Sequence, residues 1–231
     1  MLRSSQNLPE YVAAVRTRIA AAAAGAGRNV DSVTLLAVSK GQPAEMIRAA
    51  AAAGLADIGE SYLAEALAKM DALGDLPVTW HFIGRLQANK TRHVAERFAW
   101  VHGLDRLKIA ERLAAQRPYH SPALNVCIQV NLAGEESKGG LPAPEVPALA
   151  AAVGALPGLA LRGLMGIPPE ESDPRRQREW FARLRALKDS LNAGGLGLDT
   201  LSMGMSGDFE AAIQEGATLV RVGTAIFGPR A

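Results

Sequence analysis

The sequence holds a single cysteine, Cys127, which excludes an internal disulfide and a cysteine-based metal cluster. It lies in the apolar run Val126-Cys127-Ile128 and reads as a small core residue rather than a nucleophile. Charge of one sign is scarce as well: 25 Lys and Arg against 23 Asp and Glu leave a net charge of +2. No global field then argues for nucleic acid or a membrane surface as partner. The group Arg175-Arg176-Gln177-Arg178, beside Glu179, reads as a solvated helix face. No apolar stretch is long enough to span a bilayer. Met1 to Glu10 lacks an apolar core, and Arg16 and Arg18 interrupt the next segment, so no secretory signal is expected. These absences predict a soluble, cytoplasmic protein. Missing too are a G-x-S-x-G elbow, a P-loop and an H-E-x-x-H pattern.

What is present is an alternation of strand and helix. A helix over Leu8–Ala24, with Pro9 in its first turn, ends at Gly25-Ala26-Gly27. An apolar run then ends abruptly on Lys40, as a buried parallel strand does, and Pro43 opens a helix reaching Ala53. A short strand over Ala56–Gly59 and a helix over Tyr62–Leu73 come next, then a strand over Thr79–Gly84 and a helix over Gln87–Arg97. The fourth strand is Phe98–His102, with a helix from Asp105, its expected N-cap, to Gln116. The fifth strand is Leu124–Leu132, then a polar loop Glu135–Gly140 and a helix over Pro144–Ala155. The remaining strands are Leu159–Ile167, Thr200–Met203 and Thr218–Gly223, with helices over Arg175–Asn192 and Asp208–Glu215. Eight such units without a linker predict one domain over residues 1–231, an α/β fold of the (β/α)8 TIM-barrel type with an extra N-terminal helix. A doubly wound open sheet is the rival, but the first strand is not followed by its glycine-rich turn.

In a barrel the site lies at the carboxyl ends of the strands. Lys40 is at such an end, although a lysine there can simply snorkel to water. Loops after the last two strands frequently bind phosphate. Here they read Ser202-Met203-Gly204-Met205-Ser206-Gly207-Asp208 and Gly223-Thr224, rich in hydroxyls and small residues. Arg221 interrupts Leu219-Val220-Arg221-Val222 on the face opposite its valine neighbours, so it points into the barrel. There it must contact a ligand or form an internal ion pair, for which Glu60 is the candidate. His81 and His102 lie among aromatic and apolar neighbours, with no carboxylate or third histidine at ligand spacing, and are expected in the core rather than on a metal. Gln129 and Asn131 either line the upper barrel or satisfy backbone groups there. A strand-end lysine able to form an imine, a phosphate cup and a partner for a ring nitrogen together describe binding of pyridoxal 5'-phosphate (PLP).

The chain resembles the YggS/PROSC family, the PLP homeostasis proteins, which are related in fold to the barrel domain of alanine racemase. The resemblance runs from Leu35 to Gly228. It rests on Ala37-Val38-Ser39-Lys40, Trp80-His81-Phe82-Ile83-Gly84, Leu86-Gln87-Ala88-Asn89-Lys90 and Glu136-Ser137-Lys138-Gly139. Leu161-Arg162-Gly163-Leu164-Met165, Leu201-Ser202-Met203-Gly204-Met205-Ser206 and Val220-Arg221-Val222-Gly223-Thr224-Ala225-Ile226-Phe227-Gly228 complete it. It implies that Lys40 carries PLP as an internal aldimine and that Arg221 faces the pyridine nitrogen. It further implies that Ser206, Gly223 and Thr224 hold the phosphate, with Ser202 and Met203 lining the pocket. The chain departs from the family at Ser61, where an asparagine is usual, at Arg85, usually histidine, and at Gly207, usually aspartate.

A guanidinium cannot accept a proton, so an arginine at the ring nitrogen leaves the pyridine unprotonated and a poorer electron sink. Racemases draw a second base from an additional β domain, for which a chain ending at Ala231 leaves no room. We therefore expect a monomeric or weakly dimeric carrier that passes PLP to apo PLP-dependent enzymes. A racemase or lyase acting on a small amino acid is the alternative, and a cofactor-free Schiff-base aldolase a third.

Overall fold

A computed structural model describes residues 4–135 and 138–229 of the chain. Eight parallel strands form the wall of a closed barrel: β1 (Thr34–Val38), β2 (Asp57–Glu60), β3 (Thr79–Phe82), β4 (Trp100–Leu104), β5 (Leu124–Asn131), β7 (Leu159–Gly166), β8 (Thr200–Ser202) and β9 (Leu219–Val222). They run in the order β4-β3-β2-β1-β9-β8-β7-β5, and pairing of β4 with β5 closes the ring. A two-residue strand, β6 (Leu141–Pro142), extends the edge of β5. Strands covered on both faces must be apolar on both, which is why they read as continuous apolar runs.

Around the barrel lie α1 (Leu8–Gly25), α2 (Ala44–Ala52), α3 (Leu63–Ala72), α4 (Thr91–Arg97), α5 (Leu107–Gln116), α6 (Val146–Gly154), α7 (Pro174–Ala193), α8 (Phe209–Gln214) and α9 (Thr224–Phe227). Leu8, Val12, Val15 and Ile19 recur at helical spacing, and α1 buries that stripe against α8, α9 and α2. Because α9 is a single turn, α1 takes the place in the ring that a full helix after β9 would fill. All five phenylalanines are buried, Phe82 and Phe98 meeting edge to face at 5.4 Å. Each contributes roughly 1.5–3 kcal/mol of hydrophobic stabilisation. Among the described residues no helix is long and apolar enough to cross a membrane.

Several local expectations shift. The second strand starts one residue later than its sequence suggests and includes Glu60. Pro43 caps α2 with an extended backbone instead of entering its first turn. The fourth helix is reached through a 3-10 turn, Ala88–Lys90. Asp105 is not the N-cap of α5: Arg106 occupies that position, and Asp105 pairs with Arg106 Nε at 3.1 Å. In the polar loop after β5, Glu136 and Ser137 lie outside the described residues. Gln129 Nε2 donates to Lys138 O and Asn131 Nδ2 to Glu135 O, so these two side chains satisfy loop backbone.

Alternation sorts the strands into two environments. Ala37, Ile58, Val101, Val126, Leu201, Val220 and Val222 pack in the main core between sheet and helices. Their neighbours Leu36, Cys127, Ser202 and Arg221 are buried inside the barrel. Burial there pushes the Cys127 thiol up to about 12, which makes it inert. Where β7 meets β8, a Cβ on Gly163 would collide with the backbone oxygen of Thr200, whereas one on Gly154 would meet open space. Gly163→Ala is expected to cost at least about 1–3 kcal/mol. Gly154→Ala should shift stability by under about 1 kcal/mol. Urea unfolding of the two variants checks the contrast.

Candidate functional site

Lys40 stands two residues beyond β1, in a turn fixed from below. Ser39 N donates to Gly59 O, Gln42 N closes the turn on Ser39 O, and Gly41 supplies the left-handed backbone it needs, at φ 72°. Under that turn lies a buried ion cluster. Lys69 Nζ donates to Ser39 O at 2.8 Å and pairs with Glu60 Oε1 and Glu65 Oε1, each at 2.6 Å. Glu60 Oε1 also accepts from Ser39 Oγ at 2.6 Å, and Glu65 Oε1 from Gly41 N at 2.6 Å. Burial raises the Glu60 carboxyl above its ordinary range, against the pull of Lys69 and Ser39.

β1 pairs with β9 so that Ala37 lies beside Val222, which brings the carboxyl ends of the two strands together. Gly223 permits this approach, since a Cβ there would sit 3.1 Å from Val38 O. The loop after β8 turns back at Gly204, with φ 93°. Met205 N donates to Asp208 Oδ1 at 2.6 Å, and Ser206 Oγ accepts from Ala225 N at 3.2 Å, tying this loop to the one after β9.

Arg221 is 5% exposed and faces inward, as its alternation with Val220 and Val222 requires. Its Nη1 donates to Ser202 O at 2.6 Å and Ser202 Oγ at 2.8 Å, and its Nη2 to Gly166 O at 3.0 Å. Burial lowers its pKa to about 10, opposed by the field of Asp208, so the group stays cationic at neutral pH. The ion pair with Glu60 does not form. Glu60 shares its side of β2 with Ile58, toward the helices, and Lys69 on α3 neutralises it there.

These elements surround a cavity of about 280 Å³. Lys40, Ser206, Arg221, Gly223 and Thr224, expected at the site, all line it, as does Ser61. Ser202 and Met203 do not. Ser202 is fully buried behind Arg221, which it accepts from, and Met203 shares the outward face of Leu201, packed in the core toward the helices. Alternation along β8 was sufficient to separate the two. Sequence reasoning missed Ile83, Ile167, Met205 and Phe227, which form the apolar wall. Ile83 and Ile167 each directly follow a barrel strand, the same rule that singled out Lys40. It also missed that His81 has a carboxylate at hand: Asp57, on the adjacent strand, approaches its Nε2 to 2.9 Å. Among the described residues no cluster of His, Cys, Asp or Glu is placed to hold a metal.

The alanine racemase N-terminal domain family matches residues 12–231. The chain is 59% identical over 223 residues to the pyridoxal phosphate homeostasis protein of Pseudomonas aeruginosa, covering 96% of each. It is 50% identical over 227 residues to that of Escherichia coli, covering 97% of each. The chain belongs to the family of pyridoxal phosphate homeostasis proteins. Among solved structures, PipY of Synechococcus elongatus has been determined with PLP bound. It is 37% identical and superposes with a TM-score of 0.85, covering 96% of this chain and 100% of PipY. Alanine racemase of Corynebacterium glutamicum, at 19% identity and a TM-score of 0.72, shares the fold, this chain spanning 62% of its length.

Removing Lys69 tests how the Lys40 turn is held. Lys69→Met strands the Glu60 carboxylate in the core, and is expected to cost about 3–5 kcal/mol near neutral pH. Without its cation the folded-state pKa of Glu60 lies further above the unfolded value. The deficit therefore shrinks in mildly acidic solution, where the carboxyl is protonated, and grows as pH rises through the folded-state pKa. Urea unfolding of variant and parent at several pH values measures both.

Proposed function

We propose that this protein binds PLP in the cavity between β1 and β9 and serves as a carrier of the cofactor in the cytoplasm. The observation that carries the reading is that an amine, Lys40, and an inward guanidinium, Arg221, line one cavity with the hydroxyl-bearing Ser206 and Thr224. That donor set fits PLP group by group. Lys40 Nζ would hold the aldehyde carbon covalently, with loss of water. Ser206, Gly223 and Thr224 hold the phosphate through hydroxyls and backbone N–H groups. Ile83, Ile167 and Met205 would flank the ring. The barrel wall takes three hydrogen bonds from Arg221. A guanidinium has five N–H donors, so donors remain for the pyridine nitrogen. At about 280 Å³ the cavity is close to the lower bound of roughly 300 Å³ for small-molecule sites.

Bound PLP supplies an electron-withdrawing ring, whose strength depends on the protonation of its nitrogen. Arg221 would donate to that nitrogen and has no acceptor with which to share a proton there, which would keep the ring a weak acceptor of electrons. Among the described residues lining the cavity, Lys40 is the one side chain able to take up a proton from carbon, whereas racemisation needs a base on each face. These features favour holding and release over turnover, with apo PLP-dependent enzymes as recipients and neither nucleic acid nor membrane as partner. The relatives' name supports the same role. We place the protein as one domain, monomeric or weakly dimeric.

The purified protein is expected to absorb as a PLP imine and to bleach on borohydride, with label fixed at Lys40. Lys40→Ala should lose the reducible link while retaining weaker, reversible PLP binding. A reducible link that persists in the variant would overturn the assignment, and a colourless protein that never binds PLP would leave the aldolase. Incubated with amino acids in deuterated solvent, the PLP-loaded protein should exchange no α-protons with turnover. Sustained exchange would establish the racemase or lyase instead.

A further inference from the structure

Arg221 is the upper end of a hydrogen-bonded row that crosses the barrel interior. His81 Nε2 lies 2.9 Å from Asp57 Oδ1, His81 Nδ1 3.0 Å from His102 Nε2, and His102 Nδ1 2.8 Å from Ser202 Oγ. Arg221 Nη1 donates to that same oxygen at 2.8 Å. His81, His102 and Ser202 are at most 1% exposed. The lower end opens on a second cavity, of about 360 Å³, lined by Asp57, His81, Trp100, Arg162 and Asp199. The upper end opens on the cofactor cavity. His81 is braced by stacking on Trp100, with ring centroids 5.5 Å apart and planes 7° apart.

The protons along this row have one self-consistent order when both rings are neutral. The Asp57 carboxylate only accepts, so His81 Nε2 carries the hydrogen. The bare Nδ1 of His81 then accepts from His102 Nε2–H. The bare Nδ1 of His102 in turn accepts from the Ser202 hydroxyl, which leaves an oxygen lone pair for Arg221, a group that only donates. Burial favours the neutral rings. It pushes His81 down against the pull of Asp57, and pushes His102 well down, with His81 and Arg221 adding to the fall. An imidazolium at His81 would reverse His102. Ser202 Oγ would then receive N–H groups from both sides, and its own hydrogen would lose its acceptor.

We propose that Asp57, His81, His102 and Ser202 form one head-to-tail relay of positioning residues that turns the Ser202 lone pair toward Arg221 and thereby fixes the guanidinium at the cofactor ring. No proton is transferred: the relay is an oriented chain of dipoles whose direction is set by the carboxylate at its far end. The proton order stands on the hydrogen bonds and on the burial that keeps both rings neutral. Its consequence for PLP rests on the function proposed above.

The relay is tested by proton–nitrogen NMR of the histidine rings in cofactor-free protein. The exposed His93 and His120 are replaced by glutamine so that two rings remain. Both rings are expected to be neutral Nε2–H tautomers near neutral pH. A cationic ring, or an Nδ1–H tautomer at either, overturns the relay with no further variant needed. In Asp57→Asn the terminal group can donate as well as accept, so the His102 signal is expected to shift toward Nδ1–H although His102 does not touch position 57. An unmoved His102 signal overturns the coupling. PLP titration, followed by cofactor absorbance, tests the other end. His102→Leu is expected to bind about tenfold more weakly than the parent. Equal affinity sinks the positioning role. Failure of the parent itself to bind PLP sinks the cofactor half of the proposal together with the proposed function, while the tautomers independently decide the relay.

Discussion

A guanidinium inside a barrel is the constraint on which much of this interior depends. Arg221 sits where hydrocarbon would ordinarily fill the space, and among the described residues no ion pair reaches it. Burying such a charge alone is prohibitive, so the wall has to supply acceptors. Two come from backbone, Ser202 O and Gly166 O, and the third is the hydroxyl of Ser202. Fixing Ser202 as an acceptor then fixes what lies behind it. A hydroxyl buried beside a cation needs somewhere to send its own hydrogen, and His102 Nδ1 is at that position. Once the inner face of β9 carries an arginine, inner positions of β8 and β4 become polar in consequence. The main apolar core moves outward, between sheet and helices, where the five phenylalanines lie.

The lysine side of the cavity meets a different demand with the same means. Lys40 lies beyond the end of its strand, where a turn is free to drift, yet the imine proposed for it needs an amine in a definite position. Lys69, Glu60 and Glu65 grip that turn through backbone groups on both sides of Lys40. A buried ion cluster of this kind contributes little net stability, because desolvation consumes most of the Coulomb gain. What it supplies is geometry: each partner has one place where its charge is met. It lies on the helix side of β2 while Arg221 lies inside the barrel, so the cavity is supported by two charge systems separated by the sheet.

Much of this was legible in the chain because one rule, alternation, governs it. Eight apolar runs with intervening helices specify a closed parallel sheet, and the parity of Arg221 against Val220 and Val222 places it inside. The same parity, applied along β8, assigns Ser202 inward and Met203 outward. Grouping both with the cavity lining on resemblance overlooked it. Contacts between strands were not legible. Asp57 and His81 meet through the register of β2 and β3, and His102 meets Ser202 across the barrel, a hundred residues on in sequence. No spacing in the chain encodes those distances. Asp105 illustrates a local failure of the opposite kind: α5 begins one residue beyond the position that N-cap preference points to, with Arg106 at the cap.

On the proposed reading, the pairing of an immobile arginine with a strand-end lysine bears on how such a barrel would hold PLP without turning over a substrate. An acidic partner at the ring nitrogen would share a proton with it and draw electrons from whatever is bound at the aldehyde. A guanidinium that stays cationic at neutral pH, with three of its donors committed to the wall, offers hydrogen bonds only. On that reading it would anchor the ring at the end remote from Lys40 without activating it. A site that held the proposed cofactor through hydrogen bonds and one reversible covalent link would suit release of its cargo. On the proposed reading, the chemistry withheld by Arg221 is therefore as much a part of function as the binding it provides.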